Sequence, residues 1–319
     1  MSIVAISESA GSGGPEIGRG LASGLGYEFA DREIIAKAAE SYGEGVTELT
    51  HATLEKPTLW ERLTNSQQRY IAYVESTICD LAARDNVVLV GLASTIVLAR
   101  IPHVLRVRTN APQRLRAEWV QHHLGLTREA GVDYVRQADR ERAARVRFLY
   151  HVDWDDPSLY DVVLSTERLS VATAVRMIQH ALADERFESR PAGRQSMLDL
   201  SATAQAKAAL MANPTTRPRL ISLTCENGAL TLRGMVNTEA ERSSVLQTVA
   251  RVPGVTVVRN GLVVTSGGIA ESAKGHGQFR HGEERSWGGY GGGWYERTAP
   301  SDDPSGSPSV PKGEDRRQG

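Results

Sequence analysis

The sequence contains little cysteine, and its charge is almost balanced. Of its 319 residues only two are cysteine, Cys79 and Cys225, which lie far apart and form no CxxC pair. We therefore expect no disulfide framework and no metal site, and a reducing compartment is the default. With 37 basic and 38 acidic residues the net charge is −1. This balance gives no basis for binding nucleic acid through bulk charge, so no nucleic-acid partner is expected.

Long apolar segments are also absent. The longest run, residues 87–99, is interrupted by Gly91, Ser94 and Thr95. It falls short of the roughly 18–20 apolar residues that a membrane-spanning helix needs. The first residues, MSIVAI, already resemble a strand and contain no basic, apolar leader. The sequence therefore predicts a cytoplasmic protein without a signal peptide or a membrane span.

Residues 1–183 alternate between segments typical of strands and of helices. Strands are predicted at residues 3–7, 87–90, 103–108 and 160–164. Helices are predicted at residues 16–25, 31–42, 58–84, 111–123, 128–146 and 171–183. A short continuous apolar run such as VVLV is typical of a parallel strand that is buried on both faces. The alternation predicts an α/β domain, a parallel sheet with helices on both faces.

Three regions of different character follow residue 183. Residues 184–197 are polar and are predicted to be a linker. Residues 198–265 show the order α-β-β-α-β of a small α+β domain, with a hairpin at Asn227-Gly228, because both residues tolerate positive φ. Residues 266–319 are rich in glycine, proline, serine and charge, and cannot bury enough apolar surface to offset their ordering entropy. We predict a disordered C-terminal tail there.

The most informative segment is SESAGSGGPEIGRG, residues 7–20, which lies between the first predicted strand and the first predicted helix. Strand, glycine-rich turn and helix is the arrangement that offers backbone amides to a phosphate group. The candidate phosphate ligands are the amides of Gly11, Ser12, Gly13 and Gly14. The alternative is a tight turn that only connects the strand to the helix.

The segment lacks two side chains that phosphate-binding loops use. In the pattern GxxxxGK[ST], the lysine reaches the terminal phosphates and the hydroxyl holds magnesium. Gly14 and Pro15 occupy these two positions, and Glu8 occupies that of the first glycine. A carboxylate at Glu8 would repel a bound phosphate. The start of the helix is nevertheless preserved, because proline suits its first position and Glu16 its first turn.

Four motifs together resemble the cytidylate kinase-like family, a branch of the P-loop nucleoside monophosphate kinases. GSGGPEIGR (residues 11–19) is similar to the family's GSGGREIGR, and LGYEFADREII (25–35) to LGxx[FY]xDRE[LI]I. VVLVGLA (87–93) is similar to VIVGRGA, and VDWDDPSLYDVVLST (152–166) to DWxDPxxYDLVLNT. The resemblance covers residues 1–183. It implies a P-loop NTPase-type sheet that binds ATP and CMP or dCMP, with magnesium arriving mainly on the nucleotide.

The resemblance also implies roles for individual residues. In such kinases, arginines of a lid close over the transferred phosphoryl group, and the candidate catalytic residues are Arg114, Arg142 and Arg145. The alternative is a solvated basic helix face. Asp31 and Arg32 are expected at the nucleoside monophosphate site, and otherwise as a helix N-cap and a surface arginine.

Three departures from the family pattern bear on activity. Absence of the loop lysine is itself a feature of the family. However, Glu8, Pro15 and Leu92 each remove a cation or add an anion where phosphates should sit. The sequence therefore leaves open whether the domain is a phosphotransferase, a nucleotide-binding regulator that no longer catalyses, or a scaffold that binds nothing.

Residues 198–265 resemble a BON domain. The motifs are NGALTLRGMV (residues 227–236) and VPGVTVVRNGLVV (252–264). The resemblance implies a binding module without catalytic residues, whose ligand is a protein, a small molecule or a phospholipid. A regulatory or protein-interaction role is an equal alternative to membrane contact, since the balanced charge provides no polybasic lipid anchor.

Overall fold

A computed structural model describes residues 2–31, 65–91, 93–213, 215–216 and 221–265. Arg32, Leu92, most of the predicted helix 31–42 and the predicted tail 266–319 lie outside the described residues. Within the described ranges, no helix combines the length and the apolar character that crossing a membrane requires.

As far as the structure describes the chain, the first sheet has five parallel strands. They are β1 (Ile3–Glu8), β2 (Glu28–Ala30), β3 (Val87–Val90), β4 (Val104–Asn110) and β5 (Val162–Ser165). Their order is β2-β3-β1-β4-β5, so β1 is the central strand. Ligands of open α/β sheets bind beyond the carboxyl ends of the strands, where the strand order reverses. The loop after β1 lies at that point.

Among the described residues, six helices accompany this sheet. They are α1 (Gly14–Leu25), α2 (Asn65–Ala83), α3 (Ser94–Val97), α4 (Gln113–Leu124), α5 (Arg128–Tyr150) and α6 (Val171–Leu182). Successive residues of β1 face opposite sides: Ile3 packs in a core that includes α2, and Val4 in a core that includes α1 and α6. The predicted α/β domain with helices on both faces is confirmed. The short elements β2 and α3 were not predicted.

The second sheet is smaller and belongs to the C-terminal part. Its strands are β6 (Ile221–Glu226), β7 (Ala229–Val236) and β8 (Val257–Val264), in the order β6-β7-β8. Helices α7 (Pro191–Ala212) and α8 (Glu239–Val249) pack on one face. Asp199 of α7 accepts hydrogen bonds from the amides of Asn227 (2.8 Å) and Gly228 (2.9 Å), which fixes the hairpin turn. The order α-β-β-α-β agrees with the prediction.

Helix α7 differs from the sequence prediction at its start. It was expected to begin at residue 198 after a linker, but it begins at Pro191. Gly193 lies against the buried ring of His103, and Met197, only 1% exposed, packs in the core of the first sheet. Leu210, at the other end of α7, is buried in the core of the second sheet. The two sheets therefore share this helix, and residues 191–197 of the expected linker belong to it.

Candidate functional site

The loop between β1 and α1 makes a compact turn. Gly11 and Gly13 have φ angles of +78° and +77°, in the left-handed region that favours glycine. A Cβ on Gly11 would lie 2.6 Å from the carbonyl oxygen of Arg116, so no side chain fits there. Gly13 is the N-cap of α1. The first amides of a helix have no intrahelical partner and carry partial positive charge, which suits an anion.

Hydrogen bonds to two strands hold the loop in place. The buried hydroxyl of Ser12 lies 3.1 Å from the carbonyl oxygen of Thr109 and 3.0 Å from its hydroxyl. Thr166, just after β5, donates from its hydroxyl to the carbonyl of Ser12 at 3.0 Å. The loop shape is thus set by the protein itself.

Glu8 occupies the space beside Gly14. A Cβ on Gly14 would lie 2.5 Å from Glu8 Oε2 and 2.7 Å from Glu8 Cβ. Any side chain at position 14, including the lysine of a complete loop, therefore conflicts with Glu8. The Glu8 carboxylate lies beside the N-terminal end of α1, where the helix dipole favours a negative charge. It competes there with a phosphate.

Two arginines from α4 and α5 reach the loop. Arg142 donates from Nη1 to the carbonyl oxygen of Glu8. Arg116 is buried and forms a two-pronged ion pair with Asp139, at 3.0 and 2.8 Å, while its Nη1 lies 3.4 Å from the carbonyl of Ala10. Arg116 and Asp139 thus connect α4 to α5 beside the loop.

The other predicted site residues within the described ranges lie on α4, on α5 and after β2. Arg114 is 65% exposed and pairs with Glu118, at 2.9 Å, on the surface of α4. Arg145 is half-buried on α5. Asp31 follows β2 and lies 3.7 Å from Arg19. The structure thus brings Arg142 to the loop and keeps Arg114 on the helix surface, and all these roles stay predictions.

Arg108, near the end of β4, is a candidate that the sequence analysis missed. Its side chain is 6% exposed, and its guanidinium carbon lies 3.5 Å from the centroid of the Trp154 ring. Nη2 donates to Ser9 Oγ at 3.1 Å and to Asp155 Oδ1 at 3.2 Å. Nη1 has no hydrogen-bond partner among the described residues. The available signal was a pair of arginines, Arg106 and Arg108, that alternate with apolar residues in a predicted strand.

A pocket of about 400 Å³ adjoins the loop. Its lining includes Ser9 from the loop, Arg108 from β4 and Tyr160 from the segment before β5. The Trp154 indole donates to the Ser7 hydroxyl at 2.8 Å, and the Tyr160 hydroxyl donates to the Trp154 carbonyl at 2.8 Å. Burial raises the pKa of Tyr160, so this hydroxyl stays protonated at neutral pH. These bonds make one wall of the pocket rigid.

The described residues do not fit a resident metal ion. Pro15 offers no side-chain oxygen ligand where a complete loop carries a hydroxyl. In the part of the chain that the structure describes, no group of three or more histidine, cysteine or acidic side chains could hold a metal. Magnesium carried by the nucleotide stays a prediction.

Comparison with known proteins identifies both parts of the chain. The cytidylate kinase-like family matches residues 3–168, more than half of the 319 residues. The chain belongs to the cytidylate kinase-like family. A BON domain matches residues 199–266. Both resemblances inferred from the sequence are confirmed.

Individual relatives of the cytidylate kinase-like domain are distant. The cytidylate kinase of Natronomonas pharaonis is 29% identical over 53% of this chain and 82% of its own length. The cytidylate kinase of Ignicoccus hospitalis is 26% identical over 57% of this chain and 99% of its own. A crystal structure of an uncharacterized protein from Eubacterium ventriosum has 16% identity and a TM-score of 0.47, and the match covers 58% of this chain and 100% of that one. The loop, Arg108 and Arg142 all lie in the region that the family matches.

Proposed function

We propose that the cytidylate kinase-like domain binds ATP and transfers its γ-phosphoryl group to a nucleoside monophosphate, CMP or dCMP. The observation that carries the proposal is the glycine loop at the carboxyl end of the central strand, with Arg142 bonded to Glu8, the last residue of that strand. Family membership supports the same reaction.

Each part of the site has a role in this proposal. The amides of Gly11 to Gly14 hold phosphate oxygens of the donor. Arg142 and Arg145 neutralise the charge that spreads over the transferred phosphoryl group, and ATP arrives as its magnesium complex. Asp31 and Arg32 contact the acceptor nucleotide. Since Gly14 carries no charge, the cations of the site must come from arginines.

The test is a calorimetric titration with ATP and CMP in the presence of magnesium, combined with an assay of ADP release from the same samples. We expect both nucleotides to bind and ADP to form. Arg142→Ala should lower turnover about a hundredfold or more, since it removes a cation that stabilises the transition state.

Arg140→Ala is the matched control, because Arg140 is an exposed arginine on the same helix. Its turnover should equal that of the wild type. If the wild type releases no ADP, the proposed kinase activity is wrong. If Arg142→Ala releases ADP at the wild-type rate, the proposed role of Arg142 is wrong.

A specific chain of contacts favours a second candidate, a nucleotide-binding regulator that acts through the BON domain. The hydroxyl of Tyr150, at the end of α5, donates to Glu75 of α2 at 3.1 Å. Glu75 also accepts from Lys207 of α7 at 2.9 Å. Closure of α5 on a nucleotide would thus change the contacts of α7, the helix on which the BON sheet packs. Binding without ADP release would select this candidate.

The BON domain would then present its ligand site in response to nucleotide. Its ligand, whether a protein, a small molecule or a phospholipid, and the cytoplasmic location stay predictions from the sequence. Both proposed functions place nucleotide in the first domain and differ in whether the phosphoryl group moves.

A further inference from the structure

Two arginines on the same face of β4 differ in how their charge is balanced. Arg106 binds both carboxylate oxygens of Asp161, at 2.7 and 3.1 Å, and is 23% exposed. Arg108 is more deeply buried, at 6% exposed, yet it makes one contact with a carboxylate, at 3.2 Å. That carboxylate belongs to Asp155, whose side chain is 74% exposed. Water screens such a partner, so it compensates a buried charge poorly.

The remaining contacts of Arg108 are neutral. Ser9 accepts one hydrogen bond, and the Trp154 ring provides a cation–π contact. A buried guanidinium with an unsatisfied N–H lowers the stability of the fold unless another group compensates it. Burial accordingly lowers the pKa of Arg108, an effect that Tyr160 and Asp155 partly oppose. The native fold thus retains a positive charge that its own side chains leave incompletely balanced.

The pocket beside Arg108 has the position and the charge for an anion. Ser9, the first residue after β1, lies in its lining and connects it to the glycine loop. The lining also contains two carboxylates, of Asp139 and Asp155. Asp139 is neutralised by its two-pronged bond to Arg116, whereas Asp155 is exposed and can leave. An incoming anion would replace Asp155 at Arg108.

We propose that this pocket takes a phosphoryl group of a nucleotide and that Arg108 is the cation that binds it, supplying the charge that Gly14 lacks. The nucleotide comes from the proposed function on which this inference rests. The phosphoryl group belongs to the donor ATP or to the acceptor CMP, and the two share the chemistry that Arg108 recognises.

The experiment compares the full-length wild type with Arg108→Gln, Asp155→Asn and the control Arg100→Gln, an exposed arginine outside the pocket. Each protein is titrated separately with ATP, CMP, cytidine and inorganic phosphate by calorimetry. Arg108→Gln should weaken binding of the recognised nucleotide at least tenfold, and leave cytidine unchanged. Weaker binding of ATP by Arg108→Gln assigns the pocket to the donor, and weaker binding of CMP assigns it to the acceptor.

Asp155→Asn gives the opposite change, because it removes the competing carboxylate. It should tighten binding of the same nucleotide and of inorganic phosphate several-fold, and Arg100→Gln should match the wild type. If Arg108→Gln fails to fold, as its thermal melt would show, Asp155→Asn alone decides. The proposal is overturned if Asp155→Asn binds no more tightly than the wild type, or if folded Arg108→Gln titrates like Arg100→Gln.

The outcomes also separate this proposal from the proposed kinase activity. If the wild type turns over and the Arg108 and Asp155 variants match it in every titration, the kinase stands and the role of Arg108 is wrong. If phosphate binding depends on Arg108 but no ADP forms, the pocket stands and the kinase activity is wrong. If the wild type binds none of the four probes, both are wrong.

Discussion

At the scale of single residues, Glu8 and Gly14 form a steric pair at the start of α1. Gly14→Ala would bring its Cβ to 2.7 Å from Glu8 Cβ. Overpacking of this kind should lower the free energy of unfolding by about 1–3 kcal/mol. Glu8→Gly removes the opposing Cβ, so the double variant should recover most of the loss. Urea unfolding of the four proteins measures the coupling.

Gly24→Ala is the matched control in the same helix. Its Cβ would meet only the side-chain nitrogen of Gln179, at 2.9 Å, at the end of a flexible side chain. Because alanine also suits a helix better than glycine, this variant should be neutral or more stable by up to about 1 kcal/mol. Strict additivity of the Glu8 and Gly14 changes would contradict the steric pairing.

The sequence could show that positions 8 and 14 are unusual for a phosphate-binding loop, but not that they touch. Comparison with GxxxxGK[ST] treats the first glycine and the lysine as independent positions. In the structure they are coupled, since a lysine at 14 needs a glycine at 8. For the same reason Arg108 was missed: it belongs to no loop motif, and only the fold brings it to Ser9.

At the scale of elements, the start of β4 meets α7 at a buried histidine. His103 is 1% exposed, its Nε2 lies 3.2 Å from Asp85 Oδ1, and Gly193 packs on its ring. Burial lowers the pKa of His103 from its usual 6.5, although the neighbouring Asp85 opposes the shift. The positive charge of Arg194 also lowers it. The folded protein therefore favours the neutral imidazole.

When the pKa of a histidine is lower in the folded than in the unfolded protein, the fold is most stable at a pH above the unfolded-state pKa. That contribution to stability is lost as the pH falls toward the folded-state pKa. Between pH 7 and 5 the unfolded chain takes up the proton more readily than the folded one. The free energy of unfolding of the wild type should thus fall on acidification, and His103→Gln should show a shallower fall. Urea titrations at several pH values test this, and parallel curves for the two proteins would refute it.

Element types followed from local patterns, whereas the junction at α7 did not. The apolar run IVAI of β1 and the run VVLV of β3 are features of a few adjacent residues. The beginning of α7, PAGRQSM, contains only one large apolar side chain, and its buried positions, Gly193 and Met197, stand four residues apart. Two small contacts on one helix face are too sparse to reveal a helix that packs against a distant sheet.

At the scale of the whole molecule, α7 should make the two sheets unfold together. Met197 lies in the first core and Leu210 in the second, and each is 1% exposed. Replacing either by alanine removes buried methylene groups and should cost about 2–5 kcal/mol. We expect both variants to show one unfolding transition in calorimetry, with a midpoint temperature below that of the wild type.

Tryptophan fluorescence provides the independent probe, since Trp119 and Trp154 belong to the first domain and residues 198–265 contain no tryptophan. In Leu210→Ala the fluorescence change should coincide with the loss of helical circular dichroism. A separate early transition that leaves the fluorescence unchanged would show that the BON domain unfolds alone. The presence and order of the two domains followed from their motifs, but this coupling depends on contacts between residues far apart in sequence.

Because α7 is buried in the cores of both sheets, the number of residues between its two buried positions is constrained. A helix advances about 1.5 Å and turns about 100° for each residue. A single residue inserted between Met197 and Leu210 would therefore change the angle between their side chains by about 100°. If one side chain stayed packed in its core, the other would turn away from its own. An insertion of seven residues, about two full turns, would restore the angle but move the packed residues about 10 Å along the helix axis. Ala204 and Ala208 pack in the first core and Ala206 in the second, so contacts of both cores would be displaced. The number of residues between Met197 and Leu210 thus fixes the angle between the helix face that packs in the first core and the face that packs in the second.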